Sequence, residues 1–255
     1  MTLTVLDLFS GIGGFSLGLE RTGGFKTIAF CEIDPFCRQV LAKHWPGVPV
    51  YEDVKDITAD ALAAAGLAPR VICGGFPCQD ISLAGEGAGL AGARSGLWRE
   101  QSRIIREFMP DFALVENVAA LLGRGIGVVL RDLAEIGYDA EWDCIPASAV
   151  GSPQQRDRVW VVAYPSGGQT RRPVFCDCLR EIKTRRSYPT SSARGRFGLR
   201  RADQWDSEPS VCRVADGVSP NVDRVSSLGN AVVPQIPELI GRAILSAEAA
   251  PPQEE

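Results

Sequence analysis

The sequence has 255 residues, of which 45% are hydrophobic and 23% are charged, which is typical of one large α/β domain. No apolar stretch is long enough to span a bilayer, and Asp7 interrupts the N-terminus before a signal peptide could form, so we expect a cytoplasmic protein. The eight cysteines have no repeated spacing, and the single histidine, His44, is far in sequence from Cys176 and Cys178. The composition therefore predicts neither a disulfide framework nor a metal site.

The charge is distributed unevenly along the chain. The formal net charge is −4, yet residues 165–205 contain ten arginines and lysines against three acids. A local basic stretch of this kind can bind phosphates even when the whole chain is acidic. Charge alone supports a solvated surface loop just as well, so the segment is a candidate and not yet an assignment.

The first part of the chain alternates between strand-like and helix-like patterns. Short apolar runs predict strands at 3–8, 27–31, 48–51 and 70–73, and helical patterns lie between them. Pro35 suits the first turn of a helix at 35–44, and an Ala-rich helix is expected at 60–65. This alternation predicts an α/β fold with parallel strands.

A glycine-rich turn at 9–14 follows the first predicted strand and opens a helix. Such a turn lets a ligand approach the backbone closely. The dinucleotide fingerprint is not met, because Ser16 occupies the place of the third glycine. Glu32 and Asp34 follow the second strand about twenty residues further on, where a carboxylate can accept hydrogen bonds from ribose hydroxyls. The spacing predicts a nucleoside cofactor without requiring a pyrophosphate.

A candidate nucleophile, Cys78, follows the fourth predicted strand. Two glycines allow a sharp turn there and Pro77 fixes φ, so Cys78 is expected at the edge where open α/β sheets bind ligands. A lone intracellular cysteine is more often a small buried apolar residue. The flanking Pro77 and Gln79 favour the nucleophile instead, and the glycine-rich, aperiodic stretch at 82–96 predicts a lid over the site.

The second part of the chain adds an acid and two arginines to this edge. A helix at 97–108 precedes a strand at 112–115, and Glu116 follows that strand as a catalytic acid or, alternatively, a capping or ion-pairing residue. A helix at 126–136 and strands at 138–145 and 158–163 come next. Arg156 and Arg158 alternate, so their side chains should point the same way and hold a carboxylate or a phosphate, unless they form only a surface ion pair.

Together these segments resemble the DNA (cytosine-5) methyltransferase family. Six motifs match in the family's order, and they lie at 7–14, 32–34, 77–79, 116–118, 154–158 and 229–232. The resemblance implies an α/β, Rossmann-like, S-adenosylmethionine-dependent methyltransferase with a seven-stranded mixed sheet and a small irregular target-recognition insertion. It implies a catalytic domain at 1–164 plus 213–248, a short target-recognition segment at 165–212 and a frayed tail at 249–255.

The resemblance also implies roles for individual residues. The S-adenosyl-L-methionine site would consist of Asp7, Phe9, Gly11, Gly13, Glu32, Ile33, Asp53, Asn230 and Val232. The catalytic residues would be Cys78, Glu116, Arg156 and Arg158, with Pro77 and Gln79 beside the nucleophile. The residues that contact DNA would be Ser82, Arg94, Arg171, Arg172, Arg185 and Arg186. No metal would be needed.

The implied reaction is addition of the Cys78 thiolate to C6 of a flipped-out cytosine, which activates C5 toward methylation. Glu116 would protonate or hydrogen-bond N3. The implied partners are double-stranded DNA and a cognate restriction endonuclease, and the protein would be a monomer. Three alternatives stay open: a tRNA substrate, a non-catalytic nucleic-acid-binding protein, and a nicotinamide-dependent oxidoreductase, against which the missing third glycine and the Pro77–Cys78 turn argue.

Overall fold

The computed structural model describes residues 2–77, 96–152, 155–167, 174–175 and 229–249. These residues form a seven-stranded sheet with the order β3-β2-β1-β4-β5-β7-β6. The strands are β1 (Leu3–Leu8), β2 (Phe25–Cys31), β3 (Val50–Tyr51), β4 (Val71–Gly74), β5 (Phe112–Val118), β6 (Tyr138–Pro146) and β7 (Asp157–Pro165). The first five strands pair in parallel, whereas β7 is antiparallel to both β5 and β6. The predicted seven-stranded mixed sheet is confirmed.

The helices in the described part of the chain follow from local capping and periodicity. They are α1 (Gly14–Glu20), α2 (Pro35–His44), α3 (Ala59–Ala64), α4 (Gly96–Phe108), α5 (Leu121–Arg124), α6 (Ile126–Ile136) and α7 (Gln235–Ala249). At the start of α2 the Asp34 side chain accepts a hydrogen bond from the Cys37 N–H. Gly137 ends α6 in the left-handed region, at φ +93°. None of these helices is long and apolar enough to cross a membrane.

The core lies on both faces of the sheet. Alternation along β1 sends Leu6 and Leu8 to one face, with α4 and α6, and Leu3 and Val5 to the other face, with α1 and α7. Burial on both faces is why the parallel strands read as continuous apolar runs. The helices therefore leave the carboxyl edge of the parallel strands as the place where loops and polar side chains collect.

The structure differs from the sequence-based bounds at a few places. Glu116 lies inside β5, not after it, because the antiparallel β7 supplies pairing partners as far as Val118. The third strand is shorter than expected, Val50–Tyr51. Val174 and Phe175, from the predicted target-recognition segment, are buried in the core cluster on the α1 and α7 face. The predicted lid at 82–96 lies outside the described residues except for Gly96, which begins α4.

Candidate active site

One cavity of about 420 Å³ lies at the carboxyl edge of the parallel strands. The predicted site residues that line it are Phe9, Gly11, Glu32, Ile33, Asp53, Pro77, Glu116, Arg156, Arg158 and Asn230. The first five follow β1, β2 or β3, and the next four lie at or beside β4, β5 and β7. The sheet thus brings the predicted cofactor residues and the predicted catalytic residues to one continuous cavity, as expected for open α/β sheets.

The end of the cavity lined by the predicted cofactor residues is called the cofactor end here. Its central side chain is Glu32, which accepts two backbone hydrogen bonds. The Gly11 N–H donates to Glu32 Oε2 at 2.6 Å, and the Asp34 N–H donates to Oε1 at 2.8 Å. Gly11 has φ +52°, a conformation that glycine adopts without strain. The neighbouring Ile33 side chain is 70% exposed although it is large and apolar. An apolar side chain left open beside a fixed carboxylate suits a ligand with a flat ring and a sugar.

Three predicted cofactor residues, Asp7, Gly13 and Val232, do not line the cavity. A Cβ on Gly13, at φ +85°, would lie 2.6 Å from the Trp45 ring, and one on Gly14 would lie 2.5 Å from the Val232 carbonyl oxygen. Trp45 and Val232 therefore pack closely against the two glycines and support the shape of the turn. A direct cofactor role for Asp7, Gly13 and Val232 stays a prediction.

Asp7 is fully buried beneath the same turn. Its Oδ2 accepts hydrogen bonds from the Ser16 N–H at 3.3 Å and the Ser16 hydroxyl at 2.7 Å. Burial raises the pKa of Asp7 to about 7, although these hydrogen bonds act in the opposite direction. Ser16 occupies the position where the dinucleotide fingerprint has glycine, and its hydroxyl donates a hydrogen bond to Asp7 that a glycine could not make.

The other end of the cavity, lined by the predicted catalytic residues and called the catalytic end here, contains an acid paired with an arginine. Arg158 Nε lies 3.0 Å from Glu116 Oε1, and Glu116 is only 9% exposed. Burial raises the pKa of Glu116, while Arg158 and Arg156 lower it. Opposing effects of this kind are typical of a carboxyl group tuned for proton transfer.

Arg156 immediately precedes β7 and has φ +33°, unusual for a residue with a side chain. Its Nε is buried and has no hydrogen-bond partner among the described residues. Burial and the neighbouring Arg158 lower the pKa of Arg156, whereas Glu116 raises it. This donor lies in a residue that lines the cavity, so it could reach a polar atom of a ligand there.

Gly75 and Phe76, which precede the predicted nucleophile motif, lie next to Glu116 and Asn117. Asn117 Nδ2 donates to the Phe76 carbonyl oxygen at 3.0 Å. A Cβ on Gly75 would lie 2.8 Å from Glu116 Oε2, so a side chain at this position would displace the Glu116 carboxylate. The sequence assigned no role to Asn117, although a polar residue directly after the strand-borne acid could have signalled one.

Several predicted residues lie outside the described ranges: Cys78, Gln79, Ser82, Arg94, Arg171, Arg172, Arg185 and Arg186. Their roles stay predictions. Within the described ranges, no group of three or more histidine, cysteine, aspartate or glutamate residues is arranged to hold a metal ion.

The sheet order and the site together define a class, the Rossmann-like, S-adenosylmethionine-dependent methyltransferases. One solved structure with this fold is described as a DNA modification methyltransferase encoded within an E. coli prophage, at 28% identity and TM-score 0.55 over 64% of this chain and 47% of that one. The Entamoeba histolytica methyltransferase EhMeth is 13% identical with TM-score 0.67, over 98% of this chain and 100% of that one, and shows the same fold.

Residues 3–195 match the C-5 cytosine-specific DNA methylase family, and the chain belongs to that family. Type II methyltransferase M2.BsuMI of Bacillus subtilis (strain 168) is 37% identical over 173 residues, which cover 63% of this chain and 42% of that protein. The chain therefore spans less than half the length of this curated relative.

Proposed function

We propose that this protein transfers a methyl group from S-adenosyl-L-methionine to C5 of cytosine in double-stranded DNA, through a covalent Cys78 adduct on a flipped-out base. The observation that carries the proposal is the shared cavity, in which the Glu116–Arg158 pair and Pro77 face the same space as Gly11 and Glu32. Family membership supports the same reaction.

The carboxylates at the cofactor end of the cavity support S-adenosyl-L-methionine as its ligand. Glu32, Asp34, Glu52 and Asp53 all line it, and these carboxylates suit a ligand with a sulfonium and an ammonium group. They would repel the phosphates of a nicotinamide dinucleotide, which argues against the oxidoreductase alternative. Glu32 would hold the ribose, Phe9 and Ile33 would flank the adenine, and Asp53 would bind its amino group. Bound S-adenosyl-L-methionine supplies an electrophilic methyl group.

The chain's own groups would then activate the cytosine. The Cys78 thiolate forms a bond to C6, and the C5–C6 π electrons become available at C5 while Glu116 donates a proton or hydrogen bond to N3. Arg158 would orient Glu116, and Arg156 would offer the base its Nε–H, which has no partner among the described residues. After methylation of C5, loss of the C5 proton restores the double bond and expels the thiolate.

Other parts of the chain would bind the DNA duplex. We assign residues 1–164 and 213–248 to the catalytic domain, 165–212 to target recognition and 249–255 to a tail. Ser82, Arg94, Arg171, Arg172, Arg185 and Arg186 would contact DNA, where arginines neutralise phosphates. A monomer acting in the cytoplasm beside a cognate restriction endonuclease completes the proposal.

The test is methylation-sensitive sequencing of DNA from a methylation-free host that expresses the protein. We expect 5-methylcytosine in one sequence context, and no signal from a host that expresses the Cys78→Ala variant. In vitro, Cys78→Ala should bind S-adenosyl-L-methionine with near-normal affinity, since the role proposed for the thiol is addition to the base and not contact with the cofactor. Methylation retained in Cys78→Ala would refute the mechanism.

A second assay separates the remaining alternatives. Labelled cofactor is offered with DNA and with total tRNA, using the wild-type protein and Cys78→Ala in parallel. Transfer to tRNA alone would replace the DNA substrate with RNA. Absence of turnover on both, with nucleic-acid binding intact, would favour the non-catalytic protein.

A further inference from the structure

Two buried aromatic rings meet where β4 ends and α4 begins. Phe76 and Trp98 are 2% and 1% exposed, and their ring centroids lie 5.5 Å apart at 48°. The Trp98 indole N–H donates to Asp132 Oδ2 of α6 at 2.8 Å. This hydrogen bond fixes the rotation of the indole, so the face that Phe76 contacts is set from a neighbouring helix.

A second side chain of α4 reaches the same strand end. Gln101 lies one turn after Trp98 and is fully buried, and its Nε2 lies 3.4 Å from the Gly74 carbonyl oxygen. Its Oε1 has no partner among the described residues. Burying an amide side chain is unfavourable unless it is hydrogen-bonded. The contact with Gly74 therefore indicates that α4 holds the end of β4 as well as packing in the core.

The strand end has little room to move. Asn117 holds the Phe76 carbonyl from β5, and Gly75 lies against the Glu116 carboxylate. A shift of the Phe76 ring would therefore be transmitted to Gly75 and to Pro77, which leads directly into Cys78. Misplacement of a reacting group by about 1 Å can cost about a hundredfold in rate.

We propose that Trp98 is a positioning residue for the nucleophile: anchored by Asp132, it packs on Phe76 and fixes residues 75–77, which directly precede Cys78 in the sequence. The inference rests on the proposed function, because it takes Cys78 as the nucleophile. Trp98 itself does not line the cavity and is not assigned a contact with substrate or cofactor.

The test uses Trp98→Phe, which replaces the indole by a smaller phenyl ring and removes the N–H donor, and Asp132→Leu, which removes the acceptor. Asp132→Asn keeps an acceptor oxygen and is the conservative rescue. We expect kcat for methyl transfer to fall by about tenfold in Trp98→Phe and Asp132→Leu, with the Kd for S-adenosyl-L-methionine unchanged. Asp132→Asn should retain most of the wild-type kcat.

Tyr138→Phe is the matched control for the loss of a buried hydrogen bond. Tyr138 belongs to the same core cluster, and its hydroxyl donates to the Pro110 carbonyl oxygen, away from the strand end. This variant should lower Tm through the loss of one buried hydrogen bond, as Asp132→Leu does, without a change in kcat. Wild-type kcat in Trp98→Phe and Asp132→Leu, or an equal loss of kcat in Tyr138→Phe, would overturn the proposal.

A readout without turnover keeps this inference separate from the proposed function. Cys73 and Cys78 lie in one tryptic peptide, between Arg70 and Arg94, and Cys73 is fully buried. The rate of iodoacetamide alkylation at Cys78, followed by mass spectrometry of the cofactor-free protein, should change by about threefold or more in Trp98→Phe and Asp132→Leu. It should stay unchanged in Tyr138→Phe, and Cys73 should stay protected in all variants. An unchanged Cys78 rate in the first two variants would overturn the positioning role, whereas failure of the wild-type protein to methylate DNA would overturn only the proposed function.

Discussion

At the residue scale, Asp7 shows what it costs to support a glycine turn with a buried carboxyl group. Burial raises the pKa of Asp7 from 3.8 to about 7 in the folded protein. Between these pH values the folded state binds more protons than the unfolded state, so the free energy of unfolding must fall as the pH rises. The fall ends above the folded pKa, where both states are ionised.

Asp7→Asn should remove this pH dependence. We expect the free energy of unfolding of the wild-type protein to fall, relative to the variant, by on the order of 4 kcal/mol between about pH 4 and pH 8. The measurement is urea unfolding of both proteins across that range. Only the difference in slope matters, because the asparagine amide has its own burial cost. Parallel curves would show that the pKa of Asp7 is the same in the folded and unfolded states, despite its burial.

The Glu116–Arg158 pair makes a second prediction at the residue scale. Arg158 lowers the pKa of Glu116 against the effect of burial, so Arg158→Gln should raise that pKa further. If protonated Glu116 serves N3, activity is present below its pKa and is lost as the pH rises through it. The alkaline limb of kcat/KM should therefore move to higher pH, with the maximal rate lowered by about tenfold or more.

The matching control is Glu116→Gln, whose amide does not titrate in this range. Its residual activity should lack the limb altogether. A limb that stays in place in Arg158→Gln, or that moves to lower pH, would mean that another group sets the pH dependence.

At the element scale, α1 and α7 pack so closely that glycine is required between them. A Cβ on Gly18 would contact the Pro234 carbonyl oxygen and would lie 2.9 Å from the Pro237 Cβ. Backbone and a proline ring cannot move aside easily, so α7 would have to shift. Since Asn230 and Val232 lead into α7, the shift would also reach the cofactor end of the cavity.

Gly18→Ala should therefore destabilise the protein by about 1–3 kcal/mol and weaken cofactor binding. The control is Gly127→Ala in α6, where an added Cβ meets nothing within 4 Å. That variant should be neutral or more stable by about 0.5–1 kcal/mol, because alanine is the better helix former. Urea midpoints and calorimetric cofactor affinities check both. Equal stability of the two variants would show that α7 adapts to the added methyl group.

The helices and strands also show which bounds the local sequence predicts and which it does not. Proline at an N-terminus and glycine at a C-terminus predicted the bounds of α2 (Pro35–His44) and α6 (Ile126–Ile136), because these signals act through the adjacent backbone. The length of β5 could not be read this way. Its last residues are strand only because β7 pairs with them, and that pairing depends on distant sequence.

The same distinction holds within the site. The acid, the arginines and the glycine turn were predicted, since each belongs to a short ordered motif. Burial of Gln101 against Gly74 was not, because a polar residue in an amphipathic helix normally faces solvent and nothing local marks this one as an exception. Contacts such as Trp98 with Asp132 arise from packing between helices and leave no spacing signal along the chain.

At the scale of the whole molecule, the proposed function requires an acidic protein to bind a polyanion. The net charge of −4 would oppose DNA binding if it were spread evenly, but residues 165–205 carry ten basic residues against three acids. Phosphate binding by such a segment releases counterions, and its strength must fall as salt rises. In a complex with DNA, the acidic remainder of the chain would be repelled by the duplex, and this repulsion would orient binding.

Neutralising Arg185 and Arg186 to alanine should therefore reduce the slope of log K against log salt by about 0.9 for each phosphate that an arginine no longer neutralises, or about 2 in total. The charge-matched control is Lys26→Ala with Arg106→Ala, two exposed residues at the amino-terminal edge of the sheet, opposite the cavity. This pair changes the net charge equally and should leave the slope unchanged. Fluorescence anisotropy with labelled duplex at several salt concentrations measures both. If the two double variants reduce the slope equally, binding responds to net charge alone and residues 165–212 have no privileged contact with the phosphates.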